Sequence, residues 1–223
     1  MRKKLHNAFA WLLQHVLCGL CKLAFRPKVT YASEKARQEA LAEPQIIISN
    51  HVRGMDAAVI FSMLHWPQLI ALTAKDLQDK SPALKWFMSY MPAIAIDREH
   101  FSLAWARESR KYLRNGTHIM IFPEGKCNRA KVVRPFKQGT VMLAAASGAR
   151  ILPIYHNGVY HYFFGKRFRM IIGEPITVTP PPDGLAADVM QQETDQLLSV
   201  MNDLERQLTG TVRKEIADEK EDA

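Results

Sequence analysis

The chain has 223 residues, of which 48% are hydrophobic and 23% are charged, and its formal net charge at pH 7 is +8. This composition is typical of one globular domain, and three cysteines are too few for a disulfide framework, which favours a reduced intracellular setting. The first 28 residues hold six basic side chains and no acid, an imbalance that suits an anionic membrane surface or nucleic acid.

Residues 1–27 predict an amphipathic helix. Its apolar side chains recur at helical spacing, at Leu5, Phe9, Leu12, Val16, Leu20 and Leu23. Polar residues such as Gln14, His15 and Lys22 interrupt the stretch too often for a spanning helix of roughly 20 apolar residues. No small-residue cleavage pattern marks a signal peptide. We therefore expect the helix to lie in a membrane interface; the alternative is that it docks on its own domain.

Two cysteines in this helix, Cys18 and Cys21, form a C-x-x-C pair. No second pair follows and no strand precedes them, so a zinc or redox site is not favoured. We expect two small side chains that are buried or face lipid.

Short apolar runs alternate with helical stretches along residues 28–208. The predicted strands are QIIIS, LIALTA, AIAI, THIMIF, RILPIY and FRMIIG. Helices are predicted near residues 55–65, within SPALKWFMSY, and over residues 100–114, 138–147 and 185–208. Continuous apolar strands between helices indicate an α/β fold, with a mainly parallel central sheet covered by helices on both faces. The polar residues 209–223 have almost nothing to bury and are expected to fray.

Residues that can take part in catalysis or ligand binding directly follow four of the predicted strands. They are His51 and Asp56, Asp97 and Arg98, Pro123 to Gly125, and His156 to Gly158. The carboxyl ends of parallel strands lie along one edge of a sheet, where ligands bind, so we expect the His51/Asp56 pair, Arg98 and Glu124 to converge. Tyr155, His156 and Tyr160 are interpreted as wall or core residues.

His51 and Asp56 predict a general base and the acid that orients it. On one helix they would point about 140° apart, so we place His51 in the loop before the helix and Asp56 in its first turn. Gly54 is expected to permit the turn between them. A carboxylate bonded to one ring nitrogen fixes the tautomer and leaves the other nitrogen to accept a proton.

The proton is expected to come from a substrate hydroxyl rather than from a protein nucleophile. The sequence has no G-x-S-x-G elbow, and Cys127 is the only thiol near the predicted edge. Arg98, Lys126 and Arg129, with Arg53 as a further candidate, place cations around that point, which suits a phosphate on the substrate.

At these residues the sequence resembles the glycerophospholipid acyltransferase family, in particular the 1-acylglycerol-3-phosphate acyltransferases. The matching pieces are NHVRGMD for the N-H-x4-D block, then IDR, FPEG and ILPIY, in the family's order. The resemblance spans about residues 46–178. The third block departs from the family's TRS, with KCN before Arg129, and Arg53 stands where the first block often has serine, so the departures touch the acceptor side.

The resemblance implies transfer of an acyl group from acyl-CoA or acyl carrier protein to a hydroxyl of a phosphorylated glycerol lipid at a membrane surface, with no cofactor. A backbone N–H near the start of the helix is expected to hold the oxyanion. The corresponding residues are His51 as the base, Asp56 as its orienter, Asp97 and Arg98 as the second block with Arg98 for the acceptor phosphate, Glu124 and Gly125 for the acceptor site, and Pro153 for the acyl donor.

Two other functions stay open at this point. The same pair can activate water and hydrolyse a lipid ester or thioester, or the chain can be a non-enzymatic, membrane-peripheral lipid-binding module. Nucleic-acid binding fits poorly because no DNA-reading motif occurs, and no H-E-x-x-H or similar spacing supports a metal site. The predicted location is the cytoplasmic side of a membrane, in a peripheral or monotopic arrangement.

Overall fold

The helices and strands are those of a computed structural model, which describes residues 2–64, 69–79, 82–97, 102–129, 132–179, 186–210 and 214–215. The helices are α1 (Arg2–Phe25), α2 (Glu34–Glu39), α3 (Asp56–Met63), α4 (Asp76–Asp79), α5 (Pro82–Met88), α6 (Ala104–Arg114), α7 (Gly139–Ser147) and α8 (Ala187–Thr209). The strands are β1 (Lys28–Tyr31), β2 (Ile46–Ser49), β3 (Leu69–Ala74), β4 (Ala93–Ile96), β5 (His118–Ile121), β6 (Val132–Val133), β7 (Ile151–His156), β8 (Arg169–Ile172) and β9 (Lys214–Glu215).

In the described part of the chain, the central sheet has seven strands in the order β1-β8-β7-β2-β5-β3-β4. Every neighbouring pair is parallel except β7 and β8, which run antiparallel. Strand β2 lies at the centre, where Ile47 is opposite Met120 of β5 and Leu152 of β7. The prediction of a mainly parallel α/β sheet is confirmed.

Helices cover both faces of this sheet because successive strand residues point to opposite sides. Ile46 and Ile48 of β2 belong to a core cluster that includes buried residues of α6, α7 and α8. Ile47, between them, belongs to a second cluster with residues of α3 and Phe25 of α1. All four residues of β2 are buried, which is why the strand reads as a continuous apolar run rather than an alternating one.

The structure adds elements that the sequence pattern did not predict. Strand β1 is a short edge strand that pairs in parallel with β8, and its residues are only partly buried or exposed, so its apolar signal is weak. Helices α2 and α4 are likewise additional. In the tail that was predicted to fray, Lys214–Glu215 forms β9 and pairs with β6.

Helix α1 is apolar on two sides. One side packs against α3, and Gln14 Nε2 donates a hydrogen bond of 2.6 Å to the carbonyl oxygen of Tyr90. The members of the predicted stripe whose side chains are described are all exposed: Phe9, Leu12, Val16, Leu20 and Leu23. Phe9 also packs against the ring of Tyr90, with centroids 5.1 Å apart. By length and composition alone, Ala8–Phe25 could also cross a membrane, so its polar residues do not by themselves exclude a spanning helix, and the interfacial arrangement stays a prediction.

Candidate active site

The candidate site lies at the carboxyl ends of three adjacent strands, β2, β5 and β7. His51 follows β2, Glu124 follows β5, and Tyr160 follows β7. Parallel strands bring their carboxyl ends to one edge of a sheet, so residues far apart in the sequence meet here.

His51 and Asp56 are in direct contact. His51 Nδ1 lies 2.8 Å from Asp56 Oδ2, and the same oxygen accepts hydrogen bonds from the backbone N–H groups of Val52 (2.6 Å) and Arg53 (2.8 Å). Asp56 is the first residue of α3 and is fully buried, whereas the His51 side chain is 17% exposed. The carboxylate therefore holds the loop and fixes the orientation of the ring.

The turn between these two residues does not need glycine, contrary to the sequence-based expectation. Gly54 is not among the glycines with a positive φ, and a Cβ at this position would meet nothing within 4 Å. The Asp56 carboxylate and a hydrogen bond of 3.0 Å from its own N–H to the Arg53 carbonyl oxygen shape the turn instead.

Two residues that were interpreted as wall or core contact the Asp56 carboxylate. The Tyr160 hydroxyl donates to Asp56 Oδ1, and His156 Nε2 lies 3.7 Å from Oδ2. Gly158 N–H donates to His156 Nδ1 (3.1 Å), so Nε2 carries the proton and donates to the Asn50 carbonyl oxygen (2.9 Å). Tyr160 thus adds a side-chain donor to the carboxylate, and His156 lies beside it.

These donors decide the ionisation of Asp56. Burial alone raises its pKa, but the hydrogen bond with His51, the neighbouring His156, and the bonds from Tyr160 and the Arg53 backbone together hold the pKa below its ordinary value. Burial, and then the Asp56 charge, raise the pKa of Tyr160, so its hydroxyl stays protonated and remains a donor.

The outer nitrogen of His51 faces a thiol. Cys127 Sγ lies 3.1 Å from His51 Nε2, and the imidazole stacks on Phe122 with ring centroids 4.0 Å apart. Because Nδ1 donates to Asp56, Nε2 is the acceptor nitrogen. Cys127 is exposed, and it stands in the KCN piece where the sequence departs from the family pattern.

Glu124 ties the loop after β5 to the loop after β2. Its Oε1 accepts from the His51 backbone N–H (3.1 Å), and its Oε2 accepts from Asn128 Nδ2 (3.2 Å). Asn128 N–H in turn donates to the His51 carbonyl oxygen (2.6 Å). Glu124 is 6% exposed, so these contacts make it a residue that positions His51; its predicted role in shaping the acceptor site stays a prediction.

His51 also lines a cavity of about 490 Å³ beyond the ends of β3, β4 and β5. This volume is in the usual range for a small-molecule site. Most of the wall is apolar, from Leu72, Ile96, Trp105, Ile121 and Phe122. The Thr73 and Thr140 hydroxyls, which belong to residues of this wall, are buried and have no hydrogen-bond partner among the described residues.

Gly125 and Lys137 line the same cavity as His51. Gly125 has φ +73, and a Cβ there would lie 2.9 Å from Lys137 Cε, so the glycine serves both the turn and the close approach of the lysine stem. Lys137 is the cation among the described lining residues, and sequence reasoning gave it no role. The signal in the sequence is the run FKQG at residues 136–139, which follows the third block.

The other predicted phosphate ligands are placed differently. Arg98 lies outside the described residues. Arg53 is exposed, and its guanidinium carbon lies 5.7 Å from the centroid of the Tyr160 ring. Lys126 and Arg129 are exposed, and within the described wall of the cavity neither they nor Arg53 takes part. Their predicted contact with a phosphate stays a prediction.

Asp97, from the second block, lies in the wall of the cavity, whereas Pro153, from the fourth block, lies inside a strand. Asp97 lines the cavity and pairs with Lys75, whose Nζ lies 3.5 Å from Oδ2. Pro153 is buried within β7 opposite Ile48 and is not part of the described cavity wall. Across the residues that the structure describes, no group of three or more His, Cys, Asp or Glu is arranged to hold a metal ion.

Comparison with known proteins gives one consistent family. Residues 28–157 match the family model described as Acyltransferase. The chain is 30% identical over 161 residues to a 1-acyl-sn-glycerol-3-phosphate acyltransferase of Borreliella burgdorferi, covering 71% of this chain and 63% of that relative. It is 24% identical over 174 residues to the human 1-acyl-sn-glycerol-3-phosphate acyltransferase alpha, covering 75% of this chain and 61% of the relative. The chain thus spans somewhat less than two thirds of these two relatives.

A solved structure shares the fold. It is the 1-acyl-sn-glycerophosphate (LPA) acyltransferase PlsC from Thermotoga maritima, which is similar with a TM-score of 0.63 over 96% of this chain and 85% of that one. The sequence identity is 20%, so the likeness bears on the architecture of sheet and helices.

Proposed function

The chain belongs to the acyltransferase family, and on that premise we propose that it transfers a fatty acyl group from an acyl thioester to the hydroxyl of a lysophospholipid. The names of the relatives suggest 1-acylglycerol-3-phosphate as the model acceptor. We further propose acyl-CoA or acyl carrier protein as the donor. The observation that carries the proposal is the contact of 2.8 Å between His51 Nδ1 and Asp56 Oδ2 beside a largely apolar cavity.

In the proposed reaction His51 is the general base. With Nδ1–H bound to Asp56, Nε2 accepts the proton of the acceptor hydroxyl as its oxygen attacks the thioester carbonyl. The C–S bond then breaks, and the imidazolium returns the proton to the leaving thiolate. The products are a new ester and a free thiol, and no acyl-enzyme is needed.

Asp56 contributes charge and orientation. Its carboxylate stays ionised because His51, Tyr160 and two backbone N–H groups bind it, so it stabilises the imidazolium that forms during transfer. The N–H groups of Val52 and Arg53 are thereby occupied. These two groups are therefore not the backbone N–H that is expected to hold the oxyanion near the start of the helix, and that expectation stays a prediction.

The cavity suits the two ends of an amphiphilic substrate. Its apolar wall matches a hydrocarbon chain, and Lys137, which lines the same cavity as His51, supplies a cation for a phosphate or for the carrier of the donor. The exposed apolar stripe of α1 supports acyl transfer at a membrane surface, with the chain bound in a peripheral or monotopic arrangement. The cytoplasmic side of that membrane stays a prediction.

A product analysis by mass spectrometry tests this function. Purified chain receives a pool of lysolipids together with acyl-CoA and acyl carrier protein donors, each also supplied alone. We expect a diacylated product only when donor and acceptor are both present. Free fatty acid released equally with and without acceptor would favour the hydrolase instead, and unchanged substrates with intact lipid binding would favour the non-enzymatic module.

A further inference from the structure

A second groove lies between the end of α1 and the loop that follows β7. Its volume is about 670 Å³, and none of its lining residues lines the cavity beside His51. Cationic and apolar side chains share its wall: Lys22, Arg26, Arg167, Leu23, Phe163 and Phe164.

The backbone holds the two sides of this groove together. Phe163 N–H donates to the Ala24 carbonyl oxygen (2.8 Å), and Arg26 Nη2 donates to the Gly165 carbonyl oxygen (3.0 Å). Phe25, between the residues that make these contacts, is buried in the core at 2% exposure. Arg26 and Phe163 both have a positive φ, of 44° and 51°, a conformation that side-chain-bearing residues adopt only where their surroundings impose it. The loop after β7 is therefore fixed beside the helix.

The groove combines uncompensated positive charge with exposed apolar surface. Among the described residues, Lys22, Arg26 and Arg167 make no ion pair with a carboxylate. Phe164 is 86% exposed and Leu23 is 63% exposed. A soluble surface rarely presents large apolar side chains together, and such patches mark contacts with lipid or protein.

The groove also continues an apolar surface. Leu23 is the last member of the exposed stripe of α1, which runs back through Leu20 and Val16. A molecule that meets the groove and the stripe at once needs a negative group beside a long hydrocarbon. An anionic phospholipid in a bilayer has this chemistry, with its phosphate at the level of the cations and its chains against the aromatic and aliphatic side chains.

We propose that this groove binds the headgroups of anionic phospholipids in a bilayer and that Phe163 and Phe164 insert among the lipid chains. The site is separate from the cavity in which His51 lies, so it recognises the membrane and not the acyl acceptor. The proposal is tested by binding of the chain to vesicles, so it does not depend on whether the chain transfers an acyl group.

Vesicle flotation with the full chain tests this site. The vesicles are phosphatidylcholine alone or phosphatidylcholine with phosphatidylglycerol. The test variant is Lys22→Gln/Arg167→Gln, which changes two exposed side chains, and the matched control is Arg107→Gln/Arg114→Gln, which removes the same charge from exposed positions on α6. Circular dichroism melting curves establish that both variants are folded.

We expect the test variant to lose about fivefold in partitioning onto anionic vesicles per charge, or roughly 25-fold in total, while binding to neutral vesicles changes little. The control should change by less than about threefold, since only net charge is altered. A third variant, Phe164→Ser, should weaken binding to both kinds of vesicle, because it removes apolar insertion without disturbing the core.

Three results would overturn the proposal. Wild-type chain that partitions equally onto the two kinds of vesicle has no anionic headgroup site. An equal loss in the test and control variants would show attraction by net charge only. Unchanged vesicle binding by the test variant, together with loss of binding to an acidic acyl carrier protein, would assign the groove to a protein partner.

Discussion

Replacing Asp56 by asparagine tests how the buried carboxylate supports the base. The asparagine keeps the shape of the side chain, and its amide oxygen can take the place of Oδ2, which accepts from His51, Val52 and Arg53. Its amide nitrogen then replaces Oδ1, where the Tyr160 hydroxyl changes from donor to acceptor. We therefore expect a folded protein. Each of the three bonds changes from charge-assisted to neutral, a loss of about 1 kcal/mol per bond, or about 3 kcal/mol of unfolding free energy in total.

The effect on the reaction is larger because the imidazolium loses its counter-ion. Opposite unit charges 2.8 Å apart attract by roughly 6 kcal/mol at an effective dielectric constant of about 20, before solvation is considered. The same substitution beside the histidine base of a serine protease lowers kcat about 10⁴-fold. We expect kcat to fall between about 10²- and 10⁴-fold, with KM values for donor and acceptor within about threefold.

The assay follows thiol release from an acyl thioester in the presence of lysophospholipid, alongside urea unfolding of both proteins. A folded Asp56→Asn enzyme whose kcat stays within about tenfold of wild type would refute the orienting role. A large rise in KM at unchanged kcat would also refute it, since it would place Asp56 in substrate binding.

Three further predictions concern the neighbours and the charge of Asp56. The pKa of Asp56 in the folded chain lies below its ordinary value of 3.8, so its carboxylate stabilises the fold above that pH, and this contribution is lost as pH falls below 3.8 through the folded value. Urea unfolding between neutral and acidic pH should show this loss in wild type and not in Asp56→Asn, and identical pH profiles would contradict it. Tyr160→Phe removes a donor to the buried charge and should cost about 1.5–3 kcal/mol in urea unfolding but less than about tenfold in kcat, whereas Tyr162→Phe on the exposed surface should change neither. Iodoacetamide should lower transfer by about a hundredfold in wild type, because alkylated Cys127 covers His51 Nε2; Cys127→Ser should resist, and equal inactivation of the two would place the sensitive thiol elsewhere.

The sheet and the His51/Asp56 contact could be predicted from the sequence because local patterns specify them. The apolar runs of β2, β3, β5 and β7 are buried on both faces, and the N-H-x4-D spacing confines a histidine and an acid to one loop and the first turn of a helix. The edge strand β1 was not predicted, because its four residues are partly solvated and show only a weak alternation of buried and exposed positions.

The residues around His51 and Asp56 could not be predicted from the sequence, because they come from distant segments of the chain. Tyr160 lies 104 residues after Asp56, and Cys127 lies 76 residues after His51, so no spacing rule connects them. The aromatic run around Tyr160 has the composition of a core segment. Its hydroxyl has a partner only because β7 lies beside β2 in the sheet, an order that the sequence pattern does not contain.

The same limit applies to α1. Helical periodicity identified the stripe at Phe9, Leu12 and Leu23 but could not say which side of the helix packs on the domain. In the structure this stripe is exposed and the opposite side packs against α3, so both sides are apolar for different reasons. That is why composition alone allows this helix to span a membrane.

The most direct test of the proposed chemistry compares acyl transfer by wild type, His51→Ala and His161→Ala. His161 is an exposed histidine in the loop after β7, so its variant controls for the loss of an imidazole. We predict that folded His51→Ala forms diacylated product at least about 100-fold more slowly while His161→Ala stays close to wild type. Folded His51→Ala enzyme that forms product at the wild-type rate would show that this imidazole does not take the proton of the acceptor hydroxyl.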